Sequence, residues 1–157
     1  MHTGKAEALL SRHKKKEYMK TEILKEKYIK YNLTKDDVFK HQHYIIITRS
    51  GIDKIQALEN ILINYEVIKC EKDFCVVKAK AYKESGEATI QTFGSALKGG
   101  FQDGNCNSWY VMEMAEKRAM SRAVLKLTGF YELGVFGEDE AEDFKKKSNL
   151  ELNITNK

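Results

Sequence analysis

The chain has 157 residues, 27 Lys and Arg against 23 Asp and Glu, a formal net charge of +4, three cysteines and no proline. That length allows one domain with a real core plus peripheral arms and excludes two comfortable domains. Cys70, Cys75 and Cys106 form no Cys-x-x-Cys pair, no apolar run approaches the ~18 residues of a membrane span, and no secretion-signal stretch opens the chain. A cytoplasmic protein without membrane contact is therefore expected. Abundant Lys, Ile and Asn fit an AT-rich coding sequence, hence a phage or low-GC bacterium, and the host cytoplasm if phage-encoded.

Charge is segregated: eleven Lys or Arg against six Asp or Glu precede Tyr44, whereas Glu138 to Asp143 holds five acids in six residues. From Ala6 to Tyr31 good helix formers run without glycine, which predicts a basic helical arm within residues 1–43. Thr34 and Asp37 have capping-box spacing and predict a short helix over 35–40. The β-branched run Tyr44 to Thr48 predicts a strand. Ser50-Gly51-Ile52-Asp53 then repeats the cap pattern, and Ile52, Ile55, Leu58, Ile61 and Leu62 mark the buried side of a helix ending near Asn64.

Three strands are expected next, over 65–70, 74–82 and 88–96, joined by turns at Glu71-Lys72-Asp73 and Glu84-Ser85-Gly86. Alternation puts Cys75, Val77, Ala79 and Ala81 on a core face, together with Ile90, Gly94 and Ala96. Lys78, Lys80, Tyr82 and Phe93 fall on the other face, where cations mixed with aromatics suit a nucleic-acid backbone and its bases. A glycine-rich loop from Lys98 to Asn107 lacks the Gly-Lys-Ser/Thr ending of a phosphate-binding P-loop, although its amides at a helix start suit an anion. The helix expected over 108–129 stops at Gly129, and 131–136 packs back on the domain. The fold class is α+β, namely helix, three-stranded antiparallel meander and long helix. The core spans 44–136, and 137–157 form a charged acidic tail.

On that last helix Arg118, Arg122 and Lys126 recur every four residues and fall within about 80° of one another at ~100° per residue. Ala115 and Ala119 lie on or beside that arc, and a basic stripe flanked by alanines can come close to something anionic. The arrangement suits phosphates and equally a solvated helix face. Arg118, Arg122, Lys117, Lys126, Lys78, Lys80, Tyr82 and Lys98 are the candidate nucleic-acid-binding residues. His41-x-His43 has no companion ligand at a convincing spacing, and no nucleophile, base and orienting acid can be grouped. Neither a metal, another cofactor nor an enzymatic activity is expected.

Ala115, Glu116, Arg118, Ala119, Arg122 and Ala123 match an Ala-Glu-x-Arg-Ala-x-x-Arg-Ala helix, and Gln91-Thr92-Phe93-Gly94-Ser95-Ala96 is similar to the strand and small-residue turn before it. With the order of elements, 44–136 resembles the Rad fifty-two superfamily of single-strand annealing proteins in its phage and prokaryotic form. The resemblance implies ATP-independent annealing of single-stranded DNA in recombination and repair, by a homo-oligomeric ring or filament. It makes Arg118 and Arg122 groove residues, with Lys117 or Lys126 beside them, and an exonuclease or a single-strand-binding protein a candidate partner. The basic arm has no counterpart in that pattern. Helix, three strands and helix is also the order of double-stranded or structured RNA-binding modules, and a phage factor that blocks a host defence is a third reading.

Overall fold

A computed structural model describes residues 3–86, 88–100 and 102–140 of the chain. Helix α1 (Thr3–Lys30) is the expected arm. Its 28 residues reach ~42 Å at 1.5 Å per residue. Residues 4–19 are exposed, and it meets the body through its last three turns, where Leu24 and the following Tyr31 are buried and Lys27 Nζ donates to the Thr128 carbonyl at 2.5 Å.

The Thr34–Asp37 reciprocity exists, since the Thr34 amide donates to Asp37 Oδ2 at 2.9 Å and the Asp37 amide to the Thr34 carbonyl at 3.0 Å. It closes a turn, and no helix over 35–40 follows. Asp37 is instead buried against the next helix, where Lys54 Nζ and Ser50 Oγ each donate to it at 2.6 Å. The chain then enters a hairpin of β1 (Val38–His41) and β2 (Tyr44–Ile47), with Gln42 at φ 56° in its turn. The first 43 residues thus contain a strand of the body as well as the arm.

Thr48 caps α2 (Arg49–Leu58), its hydroxyl accepting from the Gly51 amide at 3.3 Å. Ser50 therefore lies inside the helix and is not its cap. The helix ends at Leu58, three residues before Ile61, because Asn60 takes φ 51° and turns the chain into β3 (Ile61–Cys70). Leu62, expected on the buried side of the helix, is an exposed strand residue.

Strands β3, β4 (Phe74–Lys83) and β5 (Thr89–Leu97) form the antiparallel meander, with a bulge in β3 between Val67 and Lys69. Helix α3 (Val111–Leu127) lies across its inner face, chiefly over β4 and β5. The approach is close at one point: a Cβ on Gly94 would stand 2.5 Å from the Ala119 amide nitrogen and nearer still to the Ala115 carbonyl oxygen. Ala115 and Ala119, both fully buried, keep the helix slim there, and Thr92 Oγ1 donates to the Ala119 carbonyl at 2.6 Å.

The core joins Val77, Ala79 and Ala81 of β4 to Ala123, Val124 and Leu125 of α3, and then to Ile47, Ile52, Ile55 and Phe130. Gly129, at φ 79°, ends the long helix. The chain then packs back as expected, its strand β6 (Val135–Gly137) pairing parallel with β2. The start of the acidic run is docked rather than solvated. Glu138 accepts from the Arg49 amide at 2.7 Å, Asp139 from Ser121 Oγ at 2.7 Å, and Glu140 is buried against Arg122. The rest of the tail expected over 137–157, residues 141–157, lies outside the described residues.

Candidate nucleic-acid interface

Strand alternation fixes the composition of the outer sheet face, which α3 does not cover. Along β4 the outward residues are Phe74, Val76, Lys78, Lys80 and Tyr82. In register, Lys78 stands between Glu66 and Phe93, Lys80 between Asn64 and Gln91, and Tyr82 between Leu62 and Thr89. Lys78 pairs with Glu66 at 3.5 Å. Lys80 is exposed and has no ion-pair partner among the described residues. Phe93 is 52% exposed and Leu62 47%, so the face is apolar between its cations.

A second cluster sits at the β3–β4 turn. The Glu71 amide donates to the Phe74 carbonyl at 2.7 Å and the Lys98 amide to the Asp73 carbonyl at 2.7 Å, which brings the turn beside the end of β5. Lys72 Nζ and Lys98 Nζ then lie 5.3 and 4.9 Å from the ring centre of Trp109, and Lys69 Nζ lies 5.6 Å from that of Phe74. Trp109 is 60% exposed and Tyr110 71%. An exposed indole flanked by two ammonium groups can stack a base while the lysines meet its phosphates.

The α3 cations are placed elsewhere. Arg118, expected to line an open groove, is buried: its Nη1 donates to the Ser95 carbonyl at 2.7 Å, its Nη2 to the Asn105 carbonyl at 2.6 Å, and its Nε reaches the Asp139 carbonyl at 3.5 Å. Arg122 is half-buried, pairs with Glu140 through Nε and donates from Nη1 to the Phe93 carbonyl at 3.0 Å. Both therefore bind the outer edge of β5. Lys126 Nζ lies 5.0 Å from the Tyr131 ring centre, and Lys117 is exposed on the helix. The candidates thus separate into Lys78, Lys80 and Tyr82 on the sheet, Lys98 at its end, and four α3 residues beyond the opposite face or at the edge.

The glycine-rich loop spends its amides on itself. Gly99 donates to the Cys106 carbonyl at 2.9 Å, Gly104 to Gly100 at 3.0 Å, and Asn105 and Cys106 to the Leu97 carbonyl at 3.0 and 3.1 Å. Those amides are not aimed at an anion. Val111 starts the long helix, three residues later than expected; Ser108 Oγ accepts from the Tyr110 amide at 3.0 Å, in a turn that leaves Trp109 outside.

Trp109, Tyr110, Lys72 and Phe74 are not among the binding residues expected from the sequence. The adjacent aromatics Trp109 and Tyr110, directly before an amphipathic helix, were the available signal for exposure. Among the described residues no group of three His, Cys, Asp or Glu side chains could hold a metal ion, and no helix is long and apolar enough to cross a membrane. No family model, curated protein or solved structure matches the chain.

Proposed function

We propose that this protein binds single-stranded nucleic acid, single-stranded DNA in particular, along the outer sheet face and the Trp109 cluster, and that it anneals complementary strands without ATP. The observation that carries the reading is the pairing of two groups of cations and rings: exposed Lys80 and Phe93 with half-buried Tyr82, Lys78 and Phe74 on the outer sheet face, and exposed Trp109 between Lys72 and Lys98 at the end of the sheet. Assembly into a homo-oligomer belongs to the same reading. Arg118, Arg122 and Asn105 occupy the outer edge of β5, whereas among the described residues no strand pairs with the outer edge of the ten-residue β3, which carries exposed Tyr65, Val67 and Ile68.

Trp109 is the sole tryptophan, so its fluorescence reports the cluster directly. Titration with an unstructured DNA oligonucleotide should quench it. Three to five phosphate contacts should give a log-log salt slope of about −2 to −4. The Lys80→Ala, Tyr82→Ala double variant should weaken binding tenfold or more, since one stacked base is worth ~1–3 kcal/mol. Annealing is read from paired dye-labelled complementary strands without nucleotide, and assembly by light scattering. Absence of binding at low salt would defeat the proposal, and tighter binding of duplex RNA at matched salt would replace it with the RNA-binding reading.

A further inference from the structure

Cys70 and Cys75 are directly opposed across the last pair of the β3–β4 hairpin, and the Cys75 thiol points at the Cys70 sulfur from 3.8 Å. The neighbouring Glu71–Phe74 pair is hydrogen-bonded. In antiparallel alternation the cysteine pair is consequently a non-hydrogen-bonded one, in which Cα atoms stand ~4.5 Å apart and side chains are closest. A disulfide accepts Cα separations of ~4.4–6.8 Å. Exposure divides the pair: Cys70 is open to solvent, while Cys75 is 1% exposed on the inner face. Cys106 stands apart from this arrangement, buried with its thiol donating to the Ser108 carbonyl at 3.2 Å.

We propose that Cys70 and Cys75 form an oxidation site for hydroperoxides, at which the hairpin closes reversibly into an intramolecular disulfide. Cys70, the accessible sulfur, attacks the peroxide; the O–O bond breaks, water leaves, and a sulfenic acid forms on Cys70. Cys75 then attacks that sulfur, the S–O bond breaks, and the hydroxyl departs as a second water with the Cys75 proton. Two thiols and one hydrogen peroxide thus yield one disulfide and two waters. A waiting partner sulfur intercepts the sulfenic acid before irreversible oxidation. Burial and then the neighbouring Cys70 hold the Cys75 thiol above the usual range, which leaves the first attack to Cys70.

The test treats the full chain with a small excess of hydrogen peroxide, quenches with acid and alkylates under denaturing conditions. Trypsin cuts after Lys69, Lys72 and Lys78, so the disulfide joins fragment 70–72 to fragment 73–78. The expected result is this linked pair, lighter by two hydrogens than the reduced fragments together, with Cys106 alkylated and the link removed by a dithiol reductant. Cys70→Ser, a change at an exposed position that leaves the core intact, should abolish it and leave Cys75 alkylated. Three alkylated cysteines after peroxide, over-oxidised Cys70, or disulfides only between chains would each overturn the proposal. None of these readouts depends on nucleic-acid binding.

Discussion

Replacing Arg118 by methionine separates a structural arginine from a ligand-binding one. Arg118 is 3% exposed and its guanidinium donates to main-chain carbonyls, two of them at 2.7 and 2.6 Å. A hydrogen bond from a charged donor is worth ~1.5–3 kcal/mol, so the two short ones represent ~3–6 kcal/mol. Methionine keeps most of the aliphatic volume and relieves the cost of burying a charge, which returns part of that sum. A net loss of ~2–4 kcal/mol is expected. With a urea slope of ~2 kcal/mol/M the unfolding midpoint falls by ~1–2 M. Helical circular dichroism in a urea series measures it, and at low denaturant Arg118→Met should still bind oligonucleotide within about threefold, a change of ~0.6 kcal/mol. A variant as stable as the parent that has lost oligonucleotide binding would refute the reasoning, because Arg118 would then act on the ligand and not on β5.

Gly94→Ala should cost about 3 kcal/mol or more, since its Cβ collides with backbone of α3 that cannot step aside; thermal unfolding of the variant checks it. Acid should destabilise the fold through Asp37 and Glu59. Lys54 and Ser50 hold Asp37 well below the usual carboxylate range, and Tyr31, Lys30 and Lys83 hold Glu59 down to about 2. A depressed carboxylate contributes stability above its unfolded value, and that contribution is lost as pH falls through the folded one. Melting temperature should therefore drop between about pH 4 and pH 2, and less steeply in Asp37→Asn, which starts lower.

The meander was readable because its alternation is strong: Cys75, Val77, Ala79 and Ala81 against Lys78, Lys80 and Tyr82 leave one register that buries the apolar set. The segments misread are those where a local signal had two tertiary outcomes. Thr34 and Asp37 carry a capping pattern, but Asp37 is also the acceptor that ties the turn to Lys54 and Ser50 of α2, and that contact rather than a local helix decides the path. Ile61 and Leu62 continue the helical period of Ile52 and Ile55, and only the left-handed Asn60 reveals where the period changes. The first acids of the tail look solvated until Ser121, Arg122 and the Arg49 amide are seen to receive them.

The basic stripe of α3 was ambiguous for a geometric reason. Residues four apart on a helix advance ~6 Å, and outward carbonyls two apart on a strand advance ~6.6–6.8 Å. Side chains at i and i+4 therefore match a strand edge as readily as a row of phosphates. Here Arg118 and Arg122 meet Ser95 and Phe93 in antiparallel order. Ala115 and Ala119, with Gly94 opposite, bring the helix axis close enough for the guanidinium groups to reach that edge. The alanines that seemed to open the stripe to an anion instead bring it to the sheet. The consequence for the molecule is directional: two arginines close β5 against further strand pairing, whereas among the described residues no strand pairs with the outer edge of β3.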